Sequence, residues 1–304
     1  MGLLTRGLFL VAGLKGVWGA VFTLVNQCSH PVWPGTLSGN SAAPLGEGGF
    51  LLPQGASASL TAPAGWSGRF WARTGCSFDD TGSGHCTTGD CCSLKCAVGV
   101  GGAPPVSLAE FTLQGNGGKD FYDVSLVDGY NLGLGIKPKG GTGDCQYAGC
   151  LADLNQSCPA ELQVLEGGAV VACKSACAAF NTPQYCCTGP NYSPSTCSPT
   201  MYSQMFKTAC PTAYSYAYDD ASSTCTCTGT DYVITFCPSG PSKHTAVQAP
   251  QSGGTIPSEN ECACGGEHCE DNNESENEDS DSSDDVEDDV TLKEVLRVSL
   301  QYNM

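Results

Sequence analysis

Gly84–Cys96 reads GHCTTGDCCSLKC, which puts Cys86, Cys91, Cys92 and Cys96 within thirteen residues, two of them adjacent. A zinc knuckle, a redox dithiol and a disulfide staple all use cysteines at such density. Zinc thiolates usually sit two to four residues apart, and a second such pair or a histidine pair completes the tetrahedron. Here four residues separate Cys86 from Cys91 and four separate Cys91 from Cys96, and His85 is the sole imidazole nearby. The stretch holds no C-x-x-C dithiol, which removes the redox reading. Structural disulfides remain, and neither a metal nor another cofactor is expected.

The composition agrees. The 304 residues include 21 cysteines against 4 histidines, 39 glycines, and 14% charged residues, where about 25% is usual for soluble proteins. So many thiols call for an oxidising compartment. The first residues, MGLLTRGLFLVAGLKGVWGA, combine Arg6, an apolar run from Leu8 to Leu14, and small residues at Gly19 and Ala20. Residues 1–19 are therefore expected to be a signal peptide. Lys15 cuts the run well short of the roughly 20 apolar residues of a membrane span, and no other segment approaches that length. The formal charge of −18 is uneven: residues 259–304 hold 16 of the 31 acids and only Lys293 and Arg297 as bases. Residues 20–258 net only −6. Neither part offers the basic patches that nucleic acid or anionic lipid requires.

From Ala20 to about Gly240 the pattern is strands and turns. AVFTLVNQC, GRFWARTGC, DFYDVSLVDGYNL and DYVITFCP are β-branched and aromatic runs bounded by turn residues. In AVFTLVN, Phe22, Leu24 and Asn26 share one face and Val21, Thr23 and Val25 the other, as in a strand inside a sandwich. Residues 152–210 read as a separate lobe held by cysteines, with a helix expected over Val170–Phe180. A Pro/Gly/Ser linker (241–258) and an acidic tail (259–304) follow, and the tail is too polar to offset its chain entropy.

At this point the residues carry a resemblance. GSGHCTTGDC followed by Cys96 resembles the signature of the thaumatin-like plant defence (pathogenesis-related) proteins. So do VNQCSHPVWPG, FWARTGCSFDD, LAEFTLQG, DFYDVSLVDGYN, YCCTG, CSPTMYSQMFKTACPTAYSYAYDD and DYVITFCP, spread over residues 21–238. The resemblance implies a mainly β fold: a two-sheet β-sandwich (20–73, 104–151, 211–240), a small disulfide-closed hairpin region (74–103) and the disulfide-rich lobe. It also implies eight bridges. Cys28 would join Cys237, Cys76 Cys86, Cys91 Cys96, Cys145 Cys227, and Cys150 Cys210. Within the lobe, Cys158 would join Cys173, Cys177 Cys186, and Cys187 Cys197. Cys92, Cys225, Cys262, Cys264 and Cys269 are left over. Cys92 stands where the family has glycine, and a Cys92–Cys225 bridge is the one extra pairing expected.

In the family an arginine and four carboxylates line a cleft between sandwich and lobe. The matching positions are Arg69, Glu110, Asp123, Asp128 and Asp219. Arg73 competes with Arg69, because both lie on one face of the same strand. Asp123 and Asp128 are five apart, so they converge only if the strand ends or bends between them. Carboxylates accept hydrogen bonds from sugar hydroxyls, and two of them can act as acid and partner on a glycosidic bond. By resemblance, the chain is expected to be a secreted (apoplastic or vacuolar) antifungal protein, a monomer, that recognises β-1,3-glucan or another fungal-wall polysaccharide. Two alternatives stand beside this: a weak endo-β-1,3-glucanase using Glu110 as acid with Asp128 or Asp123, and an inhibitor of foreign hydrolases. The four histidines receive no role. N-x-S sequons occur at Asn155, Asn191 and Asn273.

Overall fold

A computed structural model describes residues 18–39 and 42–239. The expected signal peptide, linker and tail, and with them Cys262, Cys264, Cys269 and Asn273, lie outside those residues, save Trp18 and Gly19, which open the first strand. Among the described residues no helix is long and apolar enough to cross a membrane.

In chain order the strands are β1 (Trp18–Asn26), β2 (Trp33–Ser38), β3 (Ser57–Pro63), β4 (Ser67–Arg73), β5 (Ser77–Phe78) and β6 (Gly84–His85). Next come β7 (Leu108–Thr112), β8 (Asp120–Ser125), β9 (Leu134–Pro138) and β10 (Ala148–Cys150). The lobe contributes β11 (Gln163–Glu166) and β12 (Ala169–Cys173), and the chain returns through β13 (Ala213–Tyr214), β14 (Cys225–Cys227) and β15 (Tyr232–Phe236). Two sheets form the sandwich. One runs β10-β9-β15-β1-β3, and the other runs β13-β8-β7-β4-β2 with β14 also on β8. First and last strands lie side by side, because β1 pairs β15 in parallel.

Period-two alternation decides which residues meet inside. Phe22 and Leu24 of β1, Phe70 and Ala72 of β4, Phe111 of β7, Tyr122 and Val124 of β8, and Tyr232, Ile234 and Phe236 of β15 all join the main core. Phe22 sits among rings from both sheets, 4.9 Å from Phe70, 4.7 Å from Phe111 and 5.9 Å from Tyr232. Edge-on, tilted and stacked ring pairs of this kind add to the stabilisation from the area they bury. Val21, Thr23 and Val25 are only half-buried, so the apolar groups on both faces of β1 do not signal burial on both.

Among the described residues eight disulfides form: Cys28–Cys237, Cys76–Cys86, Cys91–Cys96, Cys145–Cys227, Cys150–Cys210, Cys158–Cys173, Cys177–Cys186 and Cys187–Cys197. Cys28–Cys237 closes the parallel β1–β15 pair at its end. The expected Cys92–Cys225 bridge does not form. Cys225 keeps a free thiol on β14, opposite Tyr122, and burial pushes that thiol up to about 11. Cys92 lies in the hairpin loop with φ 62°, the left-handed region that glycine adopts without strain, which explains why the family has glycine there.

The lobe corrects a second expectation. Val170–Phe180 is not one helix. Ala169–Cys173 is strand, paired antiparallel with β11 across a turn at Gly167 (φ 56°) and Gly168 (φ 83°). Helix α1 starts only at Ala176 and ends at Phe180, with the Ser175 hydroxyl accepting from the Ala178 N–H at its start. Helices α2 (Pro183–Cys186), α3 (Met201–Ala209) and α4 (Asp220–Ser223) follow. A Thr200–Ser203 capping box opens α3. Asn155 donates its amide to the Asn131 and Val171 carbonyls, so its sequon nitrogen is already engaged inside the lobe.

Candidate functional site

The same alternation that sends Phe70, Phe111 and Tyr122 inward sends their neighbours to the outer face of the second sheet. On β4 these are Arg69, Trp71 and Arg73; on β7, Leu108 and Glu110; on β8, Asp123 and Ser125. Strand register then aligns three of them: Arg69 is opposite Glu110, and Glu110 is opposite Asp123. Residues directly opposed in an antiparallel pair have Cβ atoms roughly 4.5–5.5 Å apart, so the row is a continuous charged ridge.

Arg73 does not belong to it. Its guanidinium is wholly buried, donating to the carbonyls of Trp33 (3.0 Å), Ser93 (2.6 Å) and Leu94 (2.7 Å). Nη1 also lies 3.2 Å from Cys91 Sγ, and the group stands over the Phe78 ring. Burial lowers its pKa to about 10. Arg73 thus fastens the Cys91–Cys96 loop to the sheet. Beside it, Trp71 packs with Cys91, Cys96, Val106 and Leu108 and donates to the Gly89 carbonyl. Arg69 is the arginine of the row, with Nη1 3.9 Å from Glu110 Oε1, a loose ion pair.

Glu110 and Asp123 are both buried, and Glu110 Oε2 and Asp123 Oδ1 accept no hydrogen bond from the described protein. Burial is the largest influence on each. It raises Glu110 to about 7, Arg69 pulling the other way and Asp128 adding repulsion. Asp123 is also raised well above the carboxylate range, by burial first and then by the charges of Glu110 and Asp220. Two opposed carboxyls in a desolvated row do not both ionise at neutral pH. The pair therefore retains at least one proton, and the protonated partner gains a donor that a carboxylate lacks.

Asp128 reaches this neighbourhood because β8 ends at Ser125. A turn follows, closed by the Gly129 N–H to Leu126 carbonyl bond, and the Asp128 carbonyl accepts from Val106 N at 3.1 Å. Gly129 has φ 92°, and a Cβ there would come within 2.8 Å of the Cys173 carbonyl oxygen, so the turn requires glycine. Tyr130 then pairs with Cys173 of the lobe. Asp128 accordingly stands beside the point where the sandwich touches the lobe, before the chain returns to the sandwich as β9.

Asp219 is held differently. Its Oδ2 lies 3.0 Å from Lys207 Nζ and accepts from Ser215 N and Oγ. The adjacent Asp220, which the sequence reading did not single out, accepts from the Tyr214 hydroxyl and repels Asp123. Geometry explains its reach: β14 covers the first half of β8 and β13 the second, and α4 lies between those two strands in sequence. Nothing in YAYDDA distinguishes the two aspartates; the Lys207 contact does.

Lobe and sandwich face each other across a recess of about 20 Å³ whose walls include Val127, Ser215 and Tyr216 on one side and Ser175, Gln184 and Tyr185 on the other. Val127, which immediately precedes Asp128, is one of its walls, and no acidic side chain lines it.

The family model described as the Thaumatin family matches residues 26–238. This chain belongs to the thaumatin family. It is 63% identical over 237 residues to a pathogenesis-related thaumatin-like protein 3.5 of Cryptomeria japonica, covering 78% of this chain and 98% of that one. It is 64% identical over 230 residues to pathogenesis-related protein 5 of Arabidopsis thaliana, covering 76% and 95%. A Prunus avium relative named glucan endo-1,3-beta-glucosidase is 53% identical over 231 residues, covering 75% and 94%. The mainly β sandwich with eight disulfides is the fold expected of such a family member.

Proposed function

We propose that this chain is a secreted plant defence protein that binds β-1,3-glucan of fungal walls through the acidic row and the recess beside it. The observation that carries this reading is the opposed Glu110–Asp123 pair with its two unsatisfied oxygens. Burying like charges costs stability, and folds keep such arrangements where a site uses them. A neutral sugar suits the site. Its hydroxyls donate to Asp128 and to the ionised carboxyl, and accept from Arg69 and the protonated carboxyl. The relatives' printed names and the disulfide density support defence and an extracellular location, while the acidic row supports the ligand class. Retention on an insoluble β-1,3-glucan column tests the proposal. Glu110→Ala and Asp128→Asn are expected to elute early, and unchanged retention of both variants would refute the assignment.

The raised pKa of Glu110 favours a second reading, a weak endo-β-1,3-glucanase. A carboxyl protonated near neutral pH is suited to general-acid catalysis, with Asp128 as base or nucleophile. Glu110→Gln separates the two readings, because glutamine mimics the protonated carboxyl in hydrogen bonding but has no proton to transfer. Retention kept while reducing-sugar release is lost would identify an enzyme. No release from the unaltered protein would leave binding alone.

A further inference from the structure

Beyond the acidic row, the lobe presents three aromatic rings at its surface, one from each of its helices. Phe180 of α1 lies 5.4 Å from Tyr185 of α2 and 5.3 Å from Tyr202 of α3, and Tyr185 and Tyr202 are 5.8 Å apart. Phe180 is 36% exposed, Tyr185 is partly exposed, and Tyr202 packs against the main core while remaining partly exposed. The Tyr202 hydroxyl donates to Glu161 Oε1, which fixes the orientation of its ring. Bridges Cys177–Cys186 and Cys187–Cys197 hold the backbone beneath. Tyr185 belongs both to this cluster and to the recess that Val127, the residue before Asp128, also lines. The recess is rich in hydroxyl groups, among them Ser175, Thr200, Ser203 and Ser215.

This sequence of surfaces has a chemical order. A β-linked glucose ring carries its hydroxyls around the edge and its C–H groups on the two faces, so it needs polar partners at the rim and an apolar plate beneath. Tyrosine and phenylalanine rings provide such plates at low entropic cost. The recess has room for a hydroxyl or hydroxymethyl group rather than a whole ring, which suits sugars lying across it. The acidic character of the protein body does not repel a neutral polymer. We infer that Phe180, Tyr185 and Tyr202 form a stacking platform that takes further sugar units of the same β-glucan chain whose other units lie on the acidic row. This inference rests on the glucan-binding reading and deepens it by assigning the same ligand a second, aromatic subsite on the lobe.

The test compares β-1,3-linked gluco-oligosaccharides of increasing length by calorimetric titration with the full chain. The unaltered protein is expected to gain roughly tenfold or more in affinity between a short oligomer and one long enough to span both surfaces. Phe180→Ala and Tyr202→Ala, at rings that do not line the recess, should each lose most of that gain while leaving the short oligomer's affinity unchanged. The paired variants guard against one of them failing to fold, and melting temperature reports folding. An equal gain with length in folded variants would overturn the platform while leaving the acidic site intact. Equal loss for short and long oligomers would also overturn it, as would concentration-dependent dimerisation of the unaltered protein that Phe180→Ala abolishes. No binding of any oligomer by the unaltered protein would overturn both this inference and the glucan reading.

Discussion

Glu110 shows what one residue can reveal about a site. Its ordinary pKa is near 4.5, and burial raises it to about 7 in the folded protein. Between those values the folded state holds a proton that the unfolded state has released. Stability must therefore fall as pH rises from about 4.5 to about 7, then level off. Glu110→Gln removes this penalty. The variant is expected to be more stable than the unaltered protein above about pH 7, by an amount on the order of 3 kcal/mol, and to differ little near pH 4. Urea denaturation at the two pH values checks the sign. Cys92 supplies a second test, because a side chain at φ 62° is strained where glycine is not. Cys92→Gly should stabilise by about 1 kcal/mol, read as a rise in melting temperature.

Among the elements, the hairpin loop depends on Arg73. Truncation to alanine strands the Ser93 and Leu94 carbonyls beneath the loop and should cost about 3 kcal/mol. Protection of the Cys91–Cys96 bridge against mild reductant should fall in parallel, and thiol labelling would measure it. A simple core truncation, Phe22→Ala, is expected to cost about 3–5 kcal/mol without that change in reducibility. The strands were legible because their alternation is clean: Phe22 and Leu24, and Phe70 and Ala72, announce a core face. Ala169–Phe180 was not, because its alanines, valines and cysteines fit a strand as well as a helix. Gly167 and Gly168 decide the matter by reversing the chain, and the Cys158–Cys173 bridge holds the second strand of the hairpin they create. The acidic row was legible in residue type but not in geometry. Arg69 and Arg73 share one face of one strand, and only register opposite Glu110 separates the arginine of the row from the buried structural one. Asp220 escaped notice because the choice between neighbouring aspartates depends on Lys207, distant in sequence.

For the whole molecule, the ligand class is the central question. An ionic partner would be held by charge and released by salt, since exposed charges are screened beyond about 10 Å at 0.1 M. A neutral glucan held by hydrogen bonds and stacked rings should show nearly constant affinity between low and high ionic strength. The balance of the body, only mildly acidic once the tail is set aside, fits the neutral polymer better than a phosphate or lipid surface. The site's own titration then couples binding to pH. With Glu110 protonated the site offers a second donor beside Arg69, and ionisation of Glu110 removes that donor. The most direct measurement is a calorimetric titration of soluble β-1,3-glucan across pH, comparing the unaltered protein with Glu110→Gln. The account predicts affinity that falls as pH rises through about 7 in the former, and affinity that is retained and nearly pH-independent in the latter. Absence of binding at every pH, or the same pH profile in both proteins, would contradict it.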